Sequence, residues 1–208
     1  MSFDPVKLAE LLCARLCHDL AGPVGAVATG AELLGDEDGM GGDEMATEAL
    51  ALLAGSAAAA SARLRFLRLA LGGAGGATAP AALKDVVTNF LAPGSGGDNL
   101  TLDWSDGETA PWEPEDAKLL VNLILLARDC LPRGGVIRVK ARSGGGSEVV
   151  AEGRGAVPGE SSAALEATQV EGLSPRGAQG FYAARIASRK GFEVSVRSVA
   201  DSVAFRVG

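Results

Sequence analysis

The sequence predicts an α+β protein: a long antiparallel helical hairpin, then a domain mixing helices and strands. Three observations predict it. Apolar residues at helical spacing run from Pro5 to Leu34 and again from Asp43 to Leu71, either side of the glycine-rich, acidic stretch at 36–42. Gly72, Gly73, Gly75 and Gly76, followed by Pro80, read as a flexible linker. Beyond it the period changes, and Val136-Ile137-Arg138-Val139-Lys140 alternates as a strand does. The chain therefore divides into a hairpin at 1–72, a linker at 73–80 and a second domain at 81–208.

Each element has its own punctuation. Asp4 is a good N-cap and Pro5 suits a first helical position; Gly35 ends that helix. Asp43 can cap the second helix. Pro114 opens an apolar helix through about Cys130, and Pro132-Arg133-Gly134-Gly135 turns the chain into the alternating strand. Glu148 to Ala151 reads as another strand, Gly177 to about Arg189 as a helix, and 192–197 with 202–207 as a closing hairpin. The glycine clusters at 94–97 and 144–146 read as loops. A lone helical hairpin cannot cover its own apolar stripe, and helices owe their stability mainly to packing. Two copies about a two-fold axis make a four-helix bundle, so a homodimer through residues 4–71 is expected.

Composition narrows the function. With 47% hydrophobic residues the chain is built to fold. A net charge of −7 disfavours nucleic acid and anionic membrane surfaces as partners. No apolar run reaches the roughly 18 residues of a membrane span. The N-terminus lacks the basic start and apolar core of a secretion signal, and three cysteines cannot all pair, which points to the reducing cytoplasm. Cys13 and Cys17 precede His18, but no second ligand cluster accompanies them; they read as small buried residues and no bound metal is expected.

His18 is the one histidine. At about 100° per residue, Ala9, Leu12, Leu16, Leu20, Pro23, Val27 and Leu34 fall within roughly 60° of the side opposite it. His18 is therefore off the apolar stripe. Leu11, Ala14, Gly22, Gly25 and Thr29 share its side, with Arg15 roughly 60° away. Glycine inside a helix costs about 1 kcal/mol relative to alanine. Gly22 and Gly25 beside an exposed histidine thus suggest that another molecule approaches closely. Ala57 to Ala60 and Ser61, level with it across the hairpin, are small too, which fits either close approach or plain helix propensity. Pro23 removes one backbone hydrogen bond and bends the helix.

His18-Asp19-Leu20-Ala21-Gly22-Pro23-Val24 resembles the phosphoacceptor box of sensor histidine kinases. The second domain resembles their ATP-binding domain, a Bergerat-type α/β sandwich, in degenerate form. Asn122 to Asp129 looks like the asparagine box, but its magnesium-binding asparagine would fall at Leu126. Val149 to Gly155 looks like the first glycine box, but its adenine-binding aspartate would fall at Ala151. Gly177-Ala178-Gln179-Gly180-Phe181 is a remnant of the second, with Gly180 aligned. This combination resembles the ChpT-type histidine phosphotransferases of alphaproteobacteria over essentially the whole chain.

The resemblance implies a phosphorelay enzyme. His18 would take a phosphoryl group from the receiver of a hybrid kinase (CckA-like) and pass it to response-regulator receivers (CtrA- and CpdR-like). The chain would need no cofactor of its own, with Mg2+ brought by the partner receiver. Imidazole, with an ordinary pKa near 6.5, is a competent nucleophile at neutral pH and can form a covalent phosphoryl intermediate. Asp19 is the second residue of the site; neighbours on a helix do not face one another, so any contact with His18 is expected to be indirect. It can orient the histidine, meet a receiver, or be a solvated acid. Leu11, Ala14, Arg15, Gly22 and Pro23 are the expected receiver-binding residues. Two other classes compete: an atypical ATP-dependent kinase, against which Leu126 and Ala151 speak, and a non-catalytic receiver-binding adaptor, against which the intact His18-Asp19 pair speaks.

Overall fold

The computed structural model describes residues 3–35, 43–73, 75–93, 99–105, 110–142, 144 and 146–208. The turn expected at 36–42 and the glycine cluster at 94–97 lie outside the described residues. Helix α1 spans Pro5–Gly35 and α2 spans Asp43–Leu71. Asp4 caps α1 as expected, accepting from the backbone N–H of Val6 at 2.8 Å and of Lys7 at 3.2 Å. The helix runs through Pro23 as one element. Gly30 lets the two helices approach: a Cβ there would lie 3.2 Å from that of Leu53.

The second unit contains α3 (Pro80–Leu91), β1 (Leu100–Trp104), α4 (Pro114–Asp129), β2 (Gly135–Lys140), β3 (Glu148–Glu152), a short α5 (Glu160–Ala163), α6 (Pro175–Arg189), β4 (Val194–Val199) and β5 (Ser202–Val207). Helices α1, α3, α4 and α6 each begin on proline, whose missing N–H would be unpaired in a first turn anyway. The strands form one sheet in the order β1-β2-β3-β5-β4, with β1 parallel to β2 and the other pairs antiparallel. Its inner face gives Ile137, Val139, Val149, Ala151, Val203 and Phe205 to the core beneath α4. Its outer face carries a ladder of charge in which Arg138 meets Asp103 and Glu152.

Aromatic and amide contacts help dock the hairpin on this unit. Phe66 of α2 stacks on Phe90 of α3 with ring centres 3.8 Å apart. Phe3 meets Phe181 of α6 edge-on at 5.3 Å, and Leu11 and Leu12 pack against the same cluster. Asn122 of α4 donates to the carbonyls of Ala70 and Lys118 and accepts from Gln179, tying α2, α4 and α6 together. By length and overall composition α1 and α2 are also apolar enough to cross a membrane. The sequence reading had found no such run, because Arg15, His18 and Asp19 break α1 into shorter apolar pieces. Here the two helices pack on each other and on the second unit, and both leave large apolar side chains exposed, among them Val6, Val24 and Leu33 on α1 and Leu50, Leu52 and Leu64 on α2.

Candidate functional site

His18 projects from the middle of α1 with 76% of its side chain exposed, as its position off the apolar stripe predicts. Its surroundings differ from the expectation in one instructive way. Asp19 does touch it: His18 Nδ1 lies 3.2 Å from Asp19 Oδ1. Neighbouring helical side chains normally diverge, so something must turn Asp19 toward the histidine.

Arg15 is that something. Expected on the exposed face as a receiver contact, it is instead buried, and its fork faces inward. Its Nε donates to Asp19 Oδ2 at 2.9 Å; Nη1 and Nη2 donate to the two oxygens of Asp129 at 3.2 Å each. Asp129 comes from the last turn of α4 and also accepts from Ser161 Oγ at 3.2 Å. A lone wheel of α1 cannot reveal a carboxylate arriving from 114 residues away. Leu11 is corrected likewise: it is half-buried against the Phe181 cluster. Ala14 and Gly22 are exposed near His18, and Pro23 is buried. A Cβ on Gly22 or Gly25 would meet nothing within 4 Å, so the open face beside the histidine is not demanded by packing within the chain. Cys13 and Cys17, expected to be buried, are exposed on α1.

Electrostatics hold Asp19 charged. Burial favours its neutral form, but the charge and hydrogen bond of Arg15, then His18 and Arg128, outweigh burial and keep the carboxyl below its usual range. Burial likewise opposes the charge of Arg15, and Asp129 ahead of Asp19 more than restores it. Arg128, over the Phe90 ring, is pushed down by burial.

Pro23 has a further effect that the sequence already contained. Its missing N–H frees the carbonyl four residues back, that of Asp19. Arg63 of α2 donates to that carbonyl. The i−4 rule, with the level of Ser61 across the hairpin, was the signal that could have found Arg63. Asp19 is thus fixed at both its carboxylate and its backbone.

The site opens into a cleft of about 870 Å³ between the hairpin and the second unit. His18 and Asp19 line it together with Arg63, Arg128, Arg133 and Arg176. In a chain of net charge −7 this is a local concentration of guanidinium groups, suited to an anionic or phosphorylated partner. Among the described residues no cluster of histidine, cysteine and acid suits a metal.

Three positions singled out by the resemblance to kinases lie in the core. Leu126 and Ala151 are fully buried in one apolar cluster, and Asn122 is fully buried in its hydrogen bonds to α2 and α6. Gly180 is required by packing, since a Cβ would lie 1.8 Å from the carbonyl oxygen of Ser161.

Residues 80–202 match the family model of the histidine phosphotransferase C-terminal domain. Over 99% of its length the chain is 32% identical to protein phosphotransferase ChpT of Brucella abortus (strain 2308), 97% of which is covered. A solved bacterial phosphotransferase superposes with a TM-score of 0.80 at 27% identity, covering 100% of this chain and 98% of the other.

Proposed function

The chain belongs to the histidine phosphotransferase family that includes protein phosphotransferase ChpT, and on that premise we propose that His18 is its phosphoacceptor, relaying a phosphoryl group between receiver aspartates. The observation that carries the reading is the paired geometry of His18 and Asp19 at the mouth of the arginine-lined cleft. With its proton on Nδ1, bonded to Asp19, the imidazole keeps a lone pair on Nε2. That lone pair attacks the phosphorus of an aspartyl phosphate; the P–N bond forms, the P–O bond breaks, and the carboxylate leaves with the electron pair. The ring gains positive charge, which Asp19 stabilises as the acid does in a Ser-His-Asp triad. The second transfer is the reverse at another aspartate. Such chemistry needs in-line positioning and neutralised phosphoryl oxygens. The arginines beside His18 supply part of that charge, and the receiver would bring Mg2+.

The donor would be the receiver of a hybrid kinase, CckA-like, and the acceptors response regulators, CtrA- and CpdR-like, all in the cytoplasm. Receivers would meet the open face at Ala14 and Gly22. Residues 1–72 would serve dimerisation and transfer, 73–80 linkage, and 81–208 docking. The exposed apolar side chains of α1 and α2 support a homodimer closed as a four-helix bundle. The second domain would not bind ATP: the positions for its metal ligand and adenine partner are Leu126 and Ala151, both inside the core. Calorimetry with Mg-ATP tests this, no saturable binding being expected at millimolar nucleotide. Micromolar binding with labelling of His18 from ATP alone would make the chain a kinase.

A further inference from the structure

Asp129 lies far from His18 in sequence and in another structural unit, yet a chain of three residue-to-residue links joins them. Asp129 holds both terminal nitrogens of Arg15 at 3.2 Å, Arg15 Nε holds Asp19 at 2.9 Å, and Asp19 meets His18 Nδ1 at 3.2 Å. We infer that Asp129 is a positioning residue for phosphoryl transfer: through Arg15 it holds Asp19 against His18, and so fixes the tautomer that presents Nε2 as the nucleophile. The inference rests on His18 as phosphoacceptor and deepens that reading.

Three features require the third member. A buried guanidinium facing a single carboxylate would leave most of its donors unpaired, so Arg15 needs a second acid. Here Arg15 is 4% exposed and the two carboxylates 14% each, so the contacts act in a medium that strengthens them. The fork of Arg15 is also divided, one edge to each acid. Its planar shape then transmits the position of Asp129 to Asp19 as a rigid bracket. Finally, Asp129 is itself fixed by Ser161 Oγ. The second unit therefore sets the direction of the acid on α1. A purely structural role would predict only that loss of Asp129 loosens the docking of the two units.

The chain has one histidine, so its ring nitrogens give an unambiguous 15N spectrum. The test uses the full chain as wild type, Asp129→Asn and Asp129→Glu, at a pH where the imidazole is neutral. Ring 15N shifts report the tautomer, and phosphoramidate, a small donor that needs no receiver docking, reports reactivity. The wild type should be mainly the Nδ1–H tautomer. Asp129→Asn should move toward the Nε2–H tautomer that free histidine prefers, with labelling slowed on the order of tenfold, the effect of one weakened charge-assisted hydrogen bond. Asp129→Glu should recover part of both. A wild-type ring without Nδ1–H overturns the inference even if Asp129→Asn does not fold, as do an unchanged tautomer and rate in a folded Asp129→Asn chain. A wild type with the right tautomer that takes no label from phosphoramidate or a phosphorylated receiver sinks the phosphoacceptor reading instead, and the inference with it.

Discussion

Replacing Arg15 with methionine probes the contact that joins the hairpin to the second unit near the site. Methionine keeps an apolar stem of similar reach and removes the fork. Removing one member of a buried charge network leaves its partners uncompensated, at about 3–5 kcal/mol. Here Asp129 keeps its bond from Ser161 and Asp19 its contact with His18, and both carboxylates are 14% exposed. The lower end, about 3 kcal/mol, is therefore the expectation. In a chain of this size each kcal/mol lowers Tm by roughly 2–4 °C, giving a fall of about 6–12 °C by circular dichroism. Adding Asp129→Asn should cost much less than the sum of the single changes, with a coupling on the order of 1–3 kcal/mol, because both remove the same bracket. A Tm for Arg15→Met within about 1 °C of wild type, or strict additivity in the double variant, would refute the reasoning.

Two further outcomes follow from the same contacts. Asp19 has a folded pKa below its unfolded value, so its contribution is fully present above that unfolded value, near 3.9, and is lost as pH falls through the lower folded one. Acid unfolding of the wild type should therefore be steeper in that window than that of Asp19→Asn; parallel curves would contradict this. Val24 is 55% exposed on α1; the proposed homodimer predicts dimer mass by light scattering at micromolar concentration for the wild type and monomer mass for Val24→Glu, and a monomeric wild type would contradict it. A persisting dimer would move the interface elsewhere.

Helix bounds were largely legible because proline, aspartate and glycine mark them: α1, α2 and α4 fall within a residue or so of the sequence reading. Helix α3 was not, since Pro80 reads as the end of a linker when it is the first residue of a helix. The edge strand β1 was legible and was missed: Leu100, Leu102 and Trp104 alternate with Thr101 and Asp103 as a half-buried strand does, but the glycine-rich stretch before it drew the segment into a loop. The apolar stripe of α1 was right in kind and wrong in centre. Leu8, Arg15, Pro23 and Gly30, which recur every seven or eight residues, face the chain's own interior, while Val6 and Val24 face outward. A helical wheel adds two such faces into one, because it shows which residues are apolar and not what covers them. The same limit hid Asp129 and turned Arg15 into an exposed charge. The exposure of His18 was legible because it lies off the apolar stripe; its proposed role came from the resemblance of His18 to Val24 to a phosphoacceptor box.

The most direct measurement is a reconstituted relay. A receiver carrying labelled aspartyl phosphate is mixed with the full chain and then with a second receiver, and label is followed on all three. Wild type should gain acid-labile, base-stable label and pass it on. His18→Ala should do neither while keeping its fold, since exposed substitutions usually change stability by less than about 0.5 kcal/mol. Label reaching the chain or the second receiver in the presence of folded His18→Ala would contradict the assignment of His18.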